Sequence, residues 1–167
     1  NGTRRVGVKY RQLGRDGPPI SAIGMGRGSK AIAFGDEPME RTFNATIRRA
    51  FELGINFFDS SDAYWGTRHE VLLGRAIKGF RDQVLISSKF GNIDLPDGKK
   101  ATNGRPEYVR ECCDASLKRM DVEVIDVYYL HRVDPAVPIE ETIGAMARLI
   151  EQGKVRWLGV CEAGPET

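Results

Sequence analysis

Short apolar runs alternate along this chain with longer stretches in which apolar residues recur every three to four positions. Residues 9–13 and 20–23 flank a Gly/Pro-rich turn and predict a short β-hairpin, with residues 21–26 leading into the first strand of a main sheet. Phe43, Ile47, Ala50 and Phe51 form one stripe and predict a helix over about 38–53. Pro38 suits its first turn, Asp36 and Glu37 precede it, and Gly54 stands at its end. The same reading predicts a strand at 55–58, a helix at 69–78 with Val71, Leu72, Ala76 and Ile77 inward and Gly79 at its stop, and a strand at 84–88. Residues 91–104 read as a polar loop with turn signals at Pro96-Asp97-Gly98 and Asn103-Gly104. A helix at 106–120, a strand at 124–130, a helix at 138–152 and a strand at 155–161 complete the series.

After the hairpin the order is βαβαβαβαβ, which implies a parallel sheet with right-handed crossovers. Two architectures fit: a doubly wound open sheet, or part of a (β/α)8 barrel. The 167 residues suit one domain, with 9–23 as hairpin and first strand and 24–167 as βα units. Hydrophobic residues make up 41% and charged residues 29%, enough to bury a core and remain soluble. Lys plus Arg total 25 against 23 acidic residues, so no basic excess points to nucleic acid or a membrane surface. No apolar run approaches the roughly 20 residues of a membrane span. Cys112, Cys113 and Cys161 are odd in number, make a poor disulfide set and suit a reducing, cytoplasmic setting; none has metal-site spacing.

The chemistry sits at predicted strand ends. Asp59 ends one strand and Tyr64 follows five residues later; Lys89 and His131 end the next two. In either architecture a site lies at the carboxyl ends of parallel strands, so these four converge on one rim. A phenol, with an ordinary pKa of about 10, protonates a carbonyl poorly near neutrality. A neighbouring ammonium favours its phenolate, a carboxylate holds that ammonium, and a histidine can position the carbonyl. Lys89, Asp59 and His131 supply these groups around Tyr64, and the missing hydride implies a cofactor. Each residue also has a structural reading: Asp59 as a turn cap, Tyr64 with Trp65 as a packing pair, Lys89 as a solvated strand end, His131 as a structural histidine. Gly24-Met25-Gly26-Arg27-Gly28 is not the G-x-G-x-x-G dinucleotide fingerprint. The adjacent Cys112 and Cys113 read as helix packing.

At these residues the sequence resembles the aldo-keto reductase family, in particular its bacterial and plant auxin-induced-type branch. The likeness is carried by Tyr10-Arg11-Gln12-Leu13-Gly14, Gly54-Ile55-Asn56-Phe57-Phe58-Asp59, Tyr64 with Glu70 and Leu72-Leu73-Gly74, and Ser88-Lys89-Phe90-Gly91. It continues through Asn103-Gly104-Arg105-Pro106-Glu107-Tyr108, Asp126-Val127-Tyr128-Tyr129-Leu130-His131-Arg132 and residues 159–167. The resemblance implies a (β/α)8 barrel and NADPH-dependent reduction of a small aldehyde or ketone. It implies Tyr64 as general acid, Lys89 and Asp59 as its tuning pair, and His131 as the residue orienting the carbonyl. It implies cofactor contacts from Gly26, Arg27 and Asp59, and from Cys161 and Glu162, where many members carry Ser-Asn. A complete barrel needs eight βα units and roughly 250 residues. Five are present, so either the rest is expected from a longer polypeptide or another chain, or a non-barrel assembly hides the exposed surface. The potassium-channel β-subunits also resemble this family but carry Asn at the position of His131, so the intact set favours an enzyme over a binding subunit; an inactive truncation that associates through its exposed sheet edge is a third reading.

Overall fold

The computed structural model describes residues 7–26 and 37–167. The hairpin pairs β1 (Tyr10–Gln12) with β2 (Pro19–Ser21), antiparallel. Contrary to expectation, β2 does not run on into the main sheet. The Ser21 hydroxyl donates to the Ile23 carbonyl at 2.8 Å and turns the chain, and the main sheet begins separately at β3 (Met25–Gly26). The hairpin is pinned below the next strand. Tyr10 Oη donates to the Gly54 carbonyl at 2.7 Å, and Asn56 bonds both the Ser21 N–H and the Pro19 carbonyl. It therefore sits at the amino-terminal end of that strand.

The main sheet continues with β4 (Phe57–Asp59), β5 (Leu85–Phe90), β8 (Ile125–Leu130) and β9 (Val155–Val160). All neighbours are parallel, and the spatial order β3-β4-β5-β8-β9 follows the chain. Helices α1 (Glu37–Glu52), α2 (Arg68–Ile77), α3 (Pro106–Met120) and α4 (Ile139–Glu151) also pack consecutively, each on the next. A doubly wound sheet reverses its strand order and sends helices to both faces. Monotonic order with one unbroken helix layer is instead the arrangement of a (β/α)8 barrel, here incomplete.

Strand alternation divides the side chains. Phe58, Ile86, Phe90, Tyr128 and Leu130 lie in the core formed with Leu72, Leu73, Ile77, Val109, Met120, Met146 and Leu149 of the helices. Asp59, Ser87 and Lys89 belong to the opposite, inner face, and the register places Asp59 beside Ser87. Val71 is only half-buried, because α2 turns Leu73 and Gly74 inward instead. The expected polar loop at 91–104 holds a second hairpin, β6 (Asn92–Asp94) with β7 (Lys100–Thr102), built around the expected Pro96-Asp97-Gly98 turn. Its strands are too short and too polar to show alternation. Gly79 does not cap α2, which ends at Ile77 with Lys78 still right-handed. Among the described residues no helix is long and apolar enough to cross a membrane.

Two charged groups lock the layers. Asp126, fully buried at the start of β8, accepts from Arg81 at 2.7 Å, Arg156 at 2.6 Å and the Ile86 N–H at 2.9 Å, joining β5, β8 and β9. Glu70 of α2, also fully buried, accepts from Ser88 of β5 and from Arg119 of α3, both at 2.5 Å. Buried carboxylates with several donors avoid the large penalty of an unpaired charge. The helix layer is equally tight at Gly74, where a Cβ would lie 2.0 Å from the Met120 carbonyl oxygen. Gly74→Ala must therefore push α2 and α3 apart. We expect it to lower the urea midpoint by an amount corresponding to about 1–3 kcal/mol, measured by circular dichroism; an unchanged midpoint would refute this close helix contact.

Candidate active site

The inner-face residues meet at the carboxyl ends of β4, β5 and β8. Lys89 is the hub. Its Nζ donates to Asp59 Oδ2 at 2.5 Å, to the Ser60 carbonyl at 2.7 Å and to Tyr64 Oη at 3.3 Å. The ammonium also lies 4.8 Å from the centre of the Tyr64 ring. Asp59 is held on its other oxygen by the Ser87 hydroxyl at 2.6 Å. The side chain of Lys89 is 9% exposed, so this charge is largely removed from water and its three acceptors compensate it.

Tyr64 is placed by a sharp turn. Trp65, Gly66 and Thr67 follow it with φ of 59°, 58° and 73°, three left-handed residues in succession, and α2 begins directly afterwards. Two of them carry side chains that rarely adopt this conformation, and such strain clusters at functional sites. The turn brings His69 of α2 back beneath Tyr64, with ring centres 5.8 Å apart and nearly perpendicular. His69 is buried, and its Nδ1 lies 2.7 Å from Ser60 Oγ. Trp65 packs on His69 and Phe43.

His131 completes the group. Its ring stands 5.9 Å from that of Tyr64, at 83°. Nδ1 lies 3.2 Å from Ser61 Oγ. Burial pushes the imidazole pKa below its ordinary value, and the charges of Lys89 and Arg132 act in the same direction, so the ring is neutral near pH 7. Asp59, Tyr64, Lys89 and His131, read separately from the sequence, are thus brought together.

The expected cofactor residues fare unevenly. Gly26 pairs with Asp59, and a Cβ there would meet Asp59 Cβ at 3.0 Å and Oδ2 at 3.1 Å. Arg27 lies outside the described residues, as do Gly28 and Asp36. Cys161 is half-buried; burial pushes its thiol pKa up, Lys89 opposes this and Asp59 adds to it, so it stands within electrostatic reach of the group. Glu162 has a left-handed φ of 53° and is ion-paired with Arg132. Cys113 is fully buried in the α3 face and Cys112 half-buried, in keeping with helix packing.

Ser60, Ser61 and Ser87 are the residues that sequence reasoning missed. A signal existed for Ser87, which is two residues before Lys89 on the same strand face. None existed for the two serines after Asp59, which read as ordinary turn residues. A cleft of about 1020 Å³ lies beside this group rather than on it. Asp62, Tyr108, Cys112, Arg119 and Arg132 line it.

A family model described as the aldo/keto reductase family matches residues 23–167. The chain belongs to the aldo/keto reductase family. A probable aldo-keto reductase of Glycine max is 45% identical over 159 residues, covering 93% of this chain and 45% of the soybean protein. Among solved structures, an aldo-keto reductase from Bacillus halodurans in its holo form is 32% identical with a TM-score of 0.78, covering 92% of this chain and 50% of its own. An aldo/keto reductase from Klebsiella pneumoniae in complex with NADP and acetate is 27% identical with a TM-score of 0.73, covering 89% and 48%. The chain thus spans about half the length of these relatives.

Asp62 adds a titration to the site. Burial, and next the nearby Glu70, raise its carboxyl from 3.8 to about 7. The folded state therefore binds this proton more tightly than the unfolded chain. The resulting stability is complete below the ordinary carboxyl pKa and is lost as pH rises towards 7. Asp62→Asn removes the titration. The variant should gain urea stability relative to the parent at pH 8 and much less at pH 4. An equal difference at both pH values would show that Asp62 titrates normally.

Proposed function

We propose that this chain carries the proton-transfer and carbonyl-orienting part of an NADPH-dependent reductase of aldehydes and ketones. The observation that carries the reading is the single ammonium of Lys89 touching both Asp59 and the phenol oxygen of Tyr64. Tyr64 Oη donates its proton to the carbonyl oxygen. Lys89 offsets the negative charge left on the phenol, at a cost already met by Asp59 and the Ser60 carbonyl. His131, neutral and with Nδ1 engaged by Ser61, offers Nε2 to the same oxygen and fixes its direction. NADPH, when bound, supplies the hydride to the carbonyl carbon.

The described residues fit the reactive end of that cofactor. Gly26 leaves the approach to Asp59 free of a side chain, and Cys161 borders the same group. Glu162 fits the expected carboxamide contact poorly: a carboxylate accepts but does not donate, and Arg132 already engages it. The remaining strands, from a longer polypeptide or from another chain, are needed to close the barrel and hold the phosphates. Three free thiols accord with a reducing compartment such as the cytosol.

The test is NADPH consumption with a panel of aldehydes and ketones, using the polypeptide as it occurs natively. Tyr64→Phe should reduce kcat by at least about 10²-fold while leaving the dissociation constant for NADPH nearly unchanged. Retained turnover in that variant would remove Tyr64 from the mechanism.

A further inference from the structure

The Ser61 hydroxyl has more neighbours than one proton can satisfy. Its oxygen accepts from the Ala63 N–H at 3.1 Å, and lies 3.3 Å from Asp62 Oδ1 and 3.2 Å from His131 Nδ1. A hydroxyl has one proton and two lone pairs. With one lone pair taken by Ala63, one proton and one lone pair remain for Asp62 and His131. The hydrogen-bond direction on one side therefore fixes it on the other.

We propose that Ser61 is a positioning residue whose hydroxyl, shared between Asp62 and His131, decides which ring nitrogen of His131 carries the proton. This rests on the reading of His131 as the carbonyl-orienting residue. When Asp62 is a carboxylate it is the stronger acceptor and takes the Ser61 proton. Ser61 then accepts from Nδ1–H, and Nε2 is bare. When Asp62 is protonated it donates to Ser61, Ser61 donates to Nδ1, and Nε2 bears the proton. Only the second arrangement presents a donor to a carbonyl oxygen. No net charge moves to His131; the proton shifts between its two nitrogens through exchange with water.

The surroundings keep both arrangements within reach. Glu70 from α2 and Arg119 from α3 act on Asp62 in opposite directions, and Tyr108 and Cys112 of α3 face it electrostatically. Lys89 from β5, Arg132 from the loop after β8 and Asp59 from β4 act on His131. Asp62 titrates near 7 and burial holds the His131 pKa below its ordinary value, so the neutral ring meets both arrangements around pH 7.

Side-chain nitrogen NMR of the full chain, labelled at histidine, tests this without any turnover. Between pH 6 and 8 the Nδ1 and Nε2 signals of His131 should trade character, with Nε2–H prevailing at the acid end. Asp62→Asn, whose amide can donate to Ser61 at every pH, should hold the Nε2–H form throughout. Ser61→Ala should abolish the pH response. A wild-type tautomer constant across this range, or a response surviving in Ser61→Ala, overturns the proposal. The predicted exchange seen in a native polypeptide that reduces no carbonyl would uphold the relay and defeat the reductase reading. Turnover with a fixed tautomer would do the reverse.

Discussion

One ammonium organises the chemistry of this chain. Lys89 reaches the inner face at the end of β5, largely out of water, and a buried cation requires compensation. Asp59 provides it only because β4 and β5 are in the register that places Asp59 beside Ser87, whose hydroxyl holds the second carboxylate oxygen. A shift of β4 by one residue would turn Phe58 to the inner face and the carboxylate into the helix layer. The same charge that demands Asp59 leaves one donor for Tyr64. Register, ion pair and phenol contact are therefore one constraint.

The helix-facing side guards that register. Asp126 ties β5 to β8 and β9 through two arginines and a backbone N–H, and Glu70 ties β5 to α2 and α3 through Ser88 and Arg119. Ser88 and Lys89 are adjacent on β5 and point to opposite faces, so the strand carrying the ammonium is clamped from behind one residue away. Buried ion pairs add little net stability compared with apolar packing. What these add is direction: an apolar contact tolerates sliding along the strand, whereas a fixed set of donors does not.

The sequence shows most of this fold because each βα unit writes its own period. The stripe of Phe43, Ile47, Ala50 and Phe51 and the run 84–88 read correctly for that reason. The hairpin at 92–102 does not, since three-residue polar strands carry no alternation; only its turn residues are visible. The choice between barrel and doubly wound sheet is likewise absent from the pattern, because it depends on which face each helix takes. The site is legible where polar residues interrupt apolar strands at their ends, as Asp59, Lys89 and His131 do. Ser60 acts through its backbone carbonyl and Ser61 through a hydroxyl on a loop, and neither contribution leaves a mark in residue spacing.

The four side chains stand on or just after β4, β5 and β8, three strands that are neighbours in the main sheet. A site built this way does not wait for distant segments to bring these groups together. What five strands cannot provide is enclosure. Among the described residues β9 has β8 on one side only, and Trp157 and Leu158 remain half-buried on it. Water reaching the inner face weakens each charge interaction there, since the same pair is worth several times less in solvent than in a closed interior. Closing the barrel would therefore strengthen the charge contacts already in place. That makes the Lys89 to Tyr64 contact, the longest of the three that the ammonium makes, the one with most to gain from closure.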